Sequence, residues 1–194
     1  GYSDVTVFHS HILQNHNTPT VHGTMPVNIS DDPSPEEKET NKTLIDALMG
    51  TNLCYDIAPH ALSIAGDAEG ILVGGNLSML YSLCGSDSDI DTQGKILFIE
   101  DLDEYLYHID RMMMNLKRTG KLNQLAALVV GGMSDMNDNA IPFGKTAEEI
   151  ILEHAQEFEY PIYFGFQAGH QKVNVAMRFG MHAEIKDNQL LLLA

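Results

Sequence analysis

The sequence has few basic residues, few cysteines and no long hydrophobic run among its 194 residues. No apolar stretch approaches the ~18 residues that a membrane span requires, so we expect no membrane-embedded segment. Cys54 and Cys84 are too few for a disulfide framework or a cysteine-based zinc site, which favours a reducing, cytoplasmic location. Eleven Lys and Arg against 27 Asp and Glu give a net charge of −16, which would repel phosphate backbones. Nucleic acid is therefore not an expected partner.

The chain also lacks the features of a natural amino terminus. It begins Gly1-Tyr2-Ser3-Asp4, with no initiator Met and no charged or apolar region of a signal peptide. We expect it to be a portion of a longer protein.

From Gly70 onward, short apolar runs alternate with amphipathic segments. We predict strands at 71–73, 95–99, 127–130 and 160–166, and helices at 77–83, at 103–119 and after Thr146. In the helix at 103–119, Leu106, Ile109, Met113 and Leu116 form one apolar stripe that we expect to be buried. Asp187-Asn188 predicts the turn of a terminal hairpin. This alternation indicates an α/β fold with an at least partly parallel sheet.

The first 50 residues have fewer predicted elements. Val5, Phe8, Ile12 and Leu13 indicate a helix after Ser3, and a capping box at Ser34 and Glu37 begins a helix that ends near Met49. We predict two domains. Residues 1–50 would be the remnant of an N-terminal parallel-sheet domain with its linker, and residues 51–194 a C-terminal α/β domain.

Three residues at predicted element ends form a candidate catalytic set. Ser3 sits in a Gly-Tyr-Ser-Asp turn before a helix, which fits a nucleophile elbow, although these residues alone favour Ser3 as the N-cap of that helix. Glu100 follows an apolar strand and could orient a histidine, with Asp101 and Glu104 as alternatives for that role. His170 lies in a small-residue loop, where it could act as a general base or be an ordinary surface histidine.

No metal or cofactor is expected from the sequence. The nine histidines include no His-Glu-x-x-His pattern. Gly74-Gly75-Asn76 could approach a phosphate, but neither a dinucleotide fingerprint nor a P-loop accompanies it.

Several segments form a combined pattern, and in chain order they are Gly1–Thr6, Val21–Met25, Gly74–Ser78, Gly94–Asp101, Tyr107 with Ile109–Met112, and Gly165-Phe166 with Ala168–His170. Together they resemble the LD-carboxypeptidases of peptidase family S66, which trim murein peptides and have the microcin-immunity peptidases as relatives. The usual His-Gly-Pro-Met is His22-Gly23-Thr24-Met25 here. An Arg-Gly-Gly-Tyr-Gly-like loop, which members carry ahead of the nucleophile, is not in this sequence.

The resemblance implies a Ser–His–Glu triad with Ser3 as nucleophile, His170 as base and Glu100 as acid, and the Asp4 backbone N–H at the oxyanion. It implies hydrolysis of the L,D-peptide bond before the terminal D-alanine of murein tetrapeptides, without a cofactor, in a possible homodimer. A microcin-immunity-type peptidase and an inactive fragment are the alternatives. The absence of Trp, which could stack on a nucleobase, favours murein peptides. Arg111 and Arg178 are candidates for recognising the substrate carboxylate.

Overall fold

A seven-stranded mixed sheet lies at the centre of the computed structural model, which describes residues 1–193. Its strands, in spatial order, are β2 (Leu53–Asp56), β9 (Gln189–Leu192), β8 (His182–Lys186), β3 (Ala68–Asn76), β4 (Ile96–Leu102), β5 (Ala127–Ser134) and β6 (Ile162–Tyr163). The pairs from β3 to β6 are parallel and the others are antiparallel. A separate antiparallel pair joins β1 (Thr20–His22) to β7 (Met177–Phe179). The α/β class and the terminal hairpin are confirmed.

Two 3₁₀-helices (Ser3–Val5 and Pro26–Asn28) and five α-helices accompany the strands within residues 1–193. The α-helices are α1 (Thr6–His16), α2 (Pro35–Leu48), α3 (Leu77–Leu83), α4 (Leu106–Arg118) and α5 (Ala147–Ala155). The predicted capping boxes open α2 and α5: Ser34 with Glu37, and Thr146 with Glu149. Reciprocal hydrogen bonds in each box satisfy backbone donors that have no partner within the helix.

Successive residues of the parallel strands point to opposite faces of the sheet, and a hydrophobic core lies on each face. Val73, Leu97 and Val130 face one core, which contains the inner sides of α3, α4 and α5. Leu72 and Phe98 face the other, which contains β7, β8 and β9. The predicted stripe of α4 is buried at Ile109, Met113 and Leu116, whereas Leu106 is only partly buried.

Some strand boundaries differ from the sequence-based expectation, and the buried side chains of one helix were not predicted. Strands β3, β4 and β5 extend through Asn76, Leu102 and Ser134, because parallel pairing gives partners to backbone that resembles loop in sequence. Helix α1 buries Thr6, His9 and Ser10, while Phe8 is exposed. The apolar spacing located this helix but did not predict its buried polar side chains, since Thr6 and His9 bond to residues of other segments.

The terminal hairpin turns at Asp187 and Asn188, which both have positive φ, as a two-residue hairpin turn requires. The division of the chain at residue 50 stays a prediction. None of the five helices has the length and apolar character needed to cross a bilayer.

Candidate active site

The candidate site lies at the carboxyl end of the parallel strands, where β4 ends beside β3. Glu100 on β4 is opposite Asn76 on β3, and the Glu100 side chain is fully buried. In open α/β sheets, functional groups collect at this edge because loops leave the strands there.

Glu100 and His170 are joined by two hydrogen bonds to one carboxylate oxygen. Glu100 Oε2 lies 2.7 Å from His170 Nδ1 and 3.0 Å from the His170 backbone nitrogen. Since the carboxylate accepts, Nδ1 carries the proton and the neutral ring presents the lone pair of Nε2. The hydrogen bond to Glu100 raises the pKa of His170, burial lowers it, and the charges of Glu100, Asp101 and Asp4 raise it further. The tautomer with the proton on Nδ1 is the one that a general base acting through Nε2 requires.

Gly169 allows the Glu100 carboxylate to approach the loop that carries His170. Its φ is +97°, and a Cβ at this position would lie 2.5 Å from Glu100 Oε2. The Gly169 amide donates to Asn174 Oδ1 at 2.9 Å, and the Ser134 hydroxyl donates to the His170 carbonyl. The loop is therefore held from both sides, with glycine required by both conformation and space.

Ser3 begins the turn that leads into α1 and has a positive φ of 60°. A non-glycine residue in the left-handed region is strained, which fits the sharp turn of a nucleophile elbow. Helix α1 is fixed to the end of β3 because Thr6 Oγ1 accepts a hydrogen bond from the Asn76 backbone nitrogen at 2.9 Å. Gly75 makes room for this contact, since a Cβ there would lie 2.4 Å from Thr6 Oγ1. The structure thus places the start of α1 at the strand end next to Glu100.

The residue next to Ser3, Tyr2, contacts His170, whereas Ser3 itself makes no hydrogen bond to the Glu100–His170 pair in the described part of the chain. The ring of Tyr2 lies edge-on against the His170 ring, with centroids 4.8 Å apart. Within residues 1–193, no hydrogen bond joins the Ser3 hydroxyl to His170. The structure therefore brings Glu100 and His170 into direct contact, but it does not show a hydrogen bond between Ser3 and His170.

The alternative carboxylates serve other partners. Asp101 Oδ1 accepts from the Asn76 side-chain amide at 2.8 Å, and Oδ2 accepts from the Ser78 backbone nitrogen at 2.9 Å. Burial raises the pKa of Asp101 to about 6 despite these hydrogen bonds. Glu104 contacts His108 on α4 at 2.5 Å. Glu100 is thus the carboxylate that contacts His170.

The two candidate arginines have other contacts. Arg178 is buried and donates to the carbonyl oxygens of Thr51 and Leu192. Arg111 lies over the ring of Tyr107, at 5.4 Å from its centroid. Arg178 is therefore excluded as a surface ligand for a substrate carboxylate.

Sequence reasoning missed the buried histidines behind the site. His22 is fully buried, and neither of its ring nitrogens has a hydrogen-bond partner in the described part of the chain. Burial lowers the pKa of His22 well below its usual value, and the nearby charges of His9 and His170 add to this effect. His9 Nε2 donates to the Gly1 carbonyl at 3.0 Å. The only sequence signal was the His22–Met25 motif.

Comparison with known proteins identifies the family. The model of the LD-carboxypeptidase C-terminal domain matches residues 69–185, which include both Glu100 and His170. The chain belongs to the LD-carboxypeptidase family. The match covers more than half of the sequence and lies within the portion predicted as the C-terminal domain.

Curated relatives and solved structures agree with this LD-carboxypeptidase assignment. A probable murein peptide carboxypeptidase of Bacillus subtilis is 38% identical over 191 residues, covering 94% of this chain and 58% of that protein. The crystal structure of muramoyltetrapeptide carboxypeptidase from Oxalobacter formigenes superposes with a TM-score of 0.88 at 28% identity, covering 100% of this chain and 67% of that one. The microcin C7 self-immunity protein MccF has a TM-score of 0.85 at 20% identity, over 100% and 66% of the two chains, which shows a shared fold. This chain spans less than three fifths of the length of curated relatives such as the Bacillus subtilis protein.

Proposed function

We propose that this chain carries the catalytic residues of a serine-type LD-carboxypeptidase, which releases the terminal D-alanine from murein tetrapeptides. The observation that carries the proposal is the Glu100–His170 pair, with its buried carboxylate and its free Nε2. The names of the relatives, a probable murein peptide carboxypeptidase and a muramoyltetrapeptide carboxypeptidase, support the substrate class. A cytoplasmic location and a homodimer remain part of the same proposal.

The proposed reaction is acyl transfer to water. Ser3 Oγ attacks the carbonyl carbon before the terminal D-alanine while His170 Nε2 accepts the hydroxyl proton. The Asp4 backbone N–H stabilises the oxyanion. His170 then protonates the D-alanine nitrogen as the peptide bond breaks. Water, deprotonated by His170, hydrolyses the acyl-serine and restores the Ser3 hydroxyl.

The environment of His170 suits these proton transfers. The buried Glu100 carboxylate stabilises the imidazolium that forms when Nε2 takes the proton, and it keeps the proton of the neutral ring on Nδ1. The contact between Ser3 and His170 closes when substrate binds, since catalytic hydrogen bonds are often long without substrate.

Two measurements test the proposal. In the purified protein, we expect Ser3→Ala, Glu100→Ala and His170→Ala each to abolish the release of D-alanine from a murein tetrapeptide. A serine-reactive phosphonate should label Ser3, as located by mass spectrometry of the digested protein. Turnover in all three variants would contradict a serine peptidase.

Assays with a second substrate, an aminoacyl sulfamoyl adenosine, separate the alternatives. A microcin-immunity-type peptidase would cleave an aminoacyl sulfamoyl adenosine in preference to the tetrapeptide. An inactive fragment would cleave neither substrate and would not be labelled.

A further inference from the structure

Tyr2 directly precedes Ser3 in the chain and contacts the imidazole of His170. Its ring lies 4.8 Å from the His170 ring at an interplanar angle of 64°, and 6.3 Å from the ring of His22. Its hydroxyl accepts a hydrogen bond from the Asn28 side-chain amide at 3.0 Å. Tyr2 therefore touches His170 with its ring and is held at its far end by another segment.

Glu100 holds the His170 backbone nitrogen and fixes one distance from Nδ1. A single hydrogen bond at Nδ1 does not set the tilt of the ring, so small coupled torsions about Cα–Cβ and Cβ–Cγ still allow a rotation that moves Nε2. A packed ring against the imidazole restricts that rotation. Small displacements matter, because a catalytic group that is misplaced by ~1 Å can lose about 100-fold in rate.

We propose that Tyr2 is a positioning residue, which holds the His170 ring so that Nε2 stays directed toward the Ser3 hydroxyl. The inference rests on the proposed function and adds a residue to its machinery. Because Tyr2 directly precedes Ser3 in the chain, the same backbone turn sets both the nucleophile and the packing on its base.

The surroundings of Tyr2 keep it in place. The Gly1 carbonyl accepts from the Gly23 backbone nitrogen at 3.2 Å and from His9 Nε2 at 3.0 Å, which fixes the backbone before Tyr2. Behind Tyr2, His22 packs on Phe98 and Phe179, with ring centroids 5.3 and 5.1 Å away. The ring nitrogens of His22 lack hydrogen-bond partners in residues 1–193, and burial holds the pKa of His22 well below its usual value.

The test compares two variants of Tyr2 with a control. Tyr2→Leu removes the ring, Tyr2→Phe keeps the ring and loses only the hydroxyl, and Tyr81→Leu removes a tyrosine ring that packs on His108 instead. The measurement is saturation kinetics of labelling by a serine-reactive phosphonate, which separates the inactivation rate constant from the binding constant of the reagent.

We expect Tyr2→Leu to lower the inactivation rate constant about 10- to 100-fold with little change in the binding constant. Tyr2→Phe and Tyr81→Leu should stay within about threefold of the wild-type rate constant. A purely structural role would instead reduce the fraction of folded protein, which circular dichroism measures, and would leave the rate constant of the folded fraction unchanged.

Two results would overturn the inference. One is a wild-type inactivation rate constant in folded Tyr2→Leu, or in folded Tyr2→Met if the leucine variant does not fold. The other is an equal loss in Tyr2→Phe, which would assign the effect to the hydroxyl. In either case Ser3→Ala distinguishes the two levels: if it abolishes labelling, the proposed function stands without the role of Tyr2. If Ser3→Ala is labelled like the wild type, the proposed function fails and the inference fails with it.

Discussion

Three contacts between an imidazole and a carboxylate occur in residues 1–193, and their environments differ. Glu100–His170 joins a strand to a loop, Glu104–His108 joins the segment before α4 to the first turn of that helix, and Asp110–His154 joins α4 to α5. The Glu100 side chain is 0% exposed, whereas those of Glu104 and Asp110 are 22% and 42% exposed. Similar distances of 2.5–2.8 Å therefore describe one buried contact and two that water reaches.

The buried contact is distinguished by how its carboxylate is held. Glu100 Oε2 also accepts the backbone N–H of His170, and Gly169 brings the loop within reach. The partly exposed pairs depend on side-chain contacts, which exchange readily with water and contribute little to stability. Geometry fixed by backbone is what a catalytic pair requires, and only the Glu100 contact has it.

The largest expected difference between the three contacts is in catalysis. Glu100→Gln should lower kcat/KM for D-alanine release by about 10³- to 10⁴-fold, because the neutral amide neither stabilises the imidazolium nor enforces the Nδ1–H tautomer. Glu104→Gln and Asp110→Asn are the matched controls and should stay within about threefold. A large loss of turnover in either control, together with near-normal turnover in Glu100→Gln, would show that Glu100 is not the acid.

The second prediction concerns the glycine that admits Glu100. Gly169→Ala and Gly144→Ala both place alanine at positive φ, with φ of +97° and +85°. Only residue 169 would collide with Glu100, since nothing lies within 4 Å of a Cβ at residue 144. Both should lose about 1–3 kcal/mol of unfolding free energy from backbone strain, and Gly169→Ala a further ~1–3 kcal/mol from overpacking. Urea denaturation measures the difference, and equal losses would show that the contact at residue 169 relaxes at no cost.

The third prediction is a pH dependence. The hydrogen bond to Glu100 raises the pKa of His170 above 6.5. The neutral imidazole that acts as the base is therefore lost at a higher pH than in an unperturbed histidine. The rate of phosphonate labelling should fall on acidification through that pKa, and Glu100→Gln should move the acid limb to lower pH. The contribution of the charged pair to stability has the opposite sense: it is present below the unfolded pKa and is lost as pH rises through the folded pKa. An acid limb that does not move in Glu100→Gln would separate the titration from this contact.

The smallest expected effect belongs to the contact between helices. A double-mutant cycle with Asp110→Ala and His154→Ala should give a coupling energy of about 1 kcal/mol or less, because the carboxylate is partly hydrated. The cycle is measured by thermal unfolding at neutral pH. A coupling of several kcal/mol would mean that this contact is as rigid as the buried one.

Local signals in the sequence predicted much of the fold. The capping boxes at Ser34 and Thr146 mark helix starts because their hydrogen bonds involve residues three positions apart. The Asp187-Asn188 turn is equally local, since it depends on two residues that tolerate positive φ. Helix 77–83 was predicted at its observed bounds.

Sequence reasoning was less successful where the partner of a residue is distant in the chain. It ended β3 and β4 too early, because Asn76 and Glu100 are strand residues only through their parallel pairing. The burial of Thr6 on α1 was not predicted, because it depends on a hydrogen bond with Asn76, 70 residues away. Strands β2 and β7 were not predicted, because each pairs with a strand that is distant in the chain: β2 with β9, and β7 with β1.

The candidate site shows the same division. The sequence by itself determined the residue types, with a serine in a tight turn, a carboxylate after an apolar strand and a histidine beside a glycine, because these depend on local backbone preference. The resemblance already implied Glu100, and the tertiary structure shows that it contacts His170. Asp101 bonds to Asn76 instead, because successive residues of a strand point to opposite faces. The tertiary structure alone decided that Tyr2 packs on His170, since that contact depends on how α1, β3 and the 169–174 loop meet at one edge of the sheet.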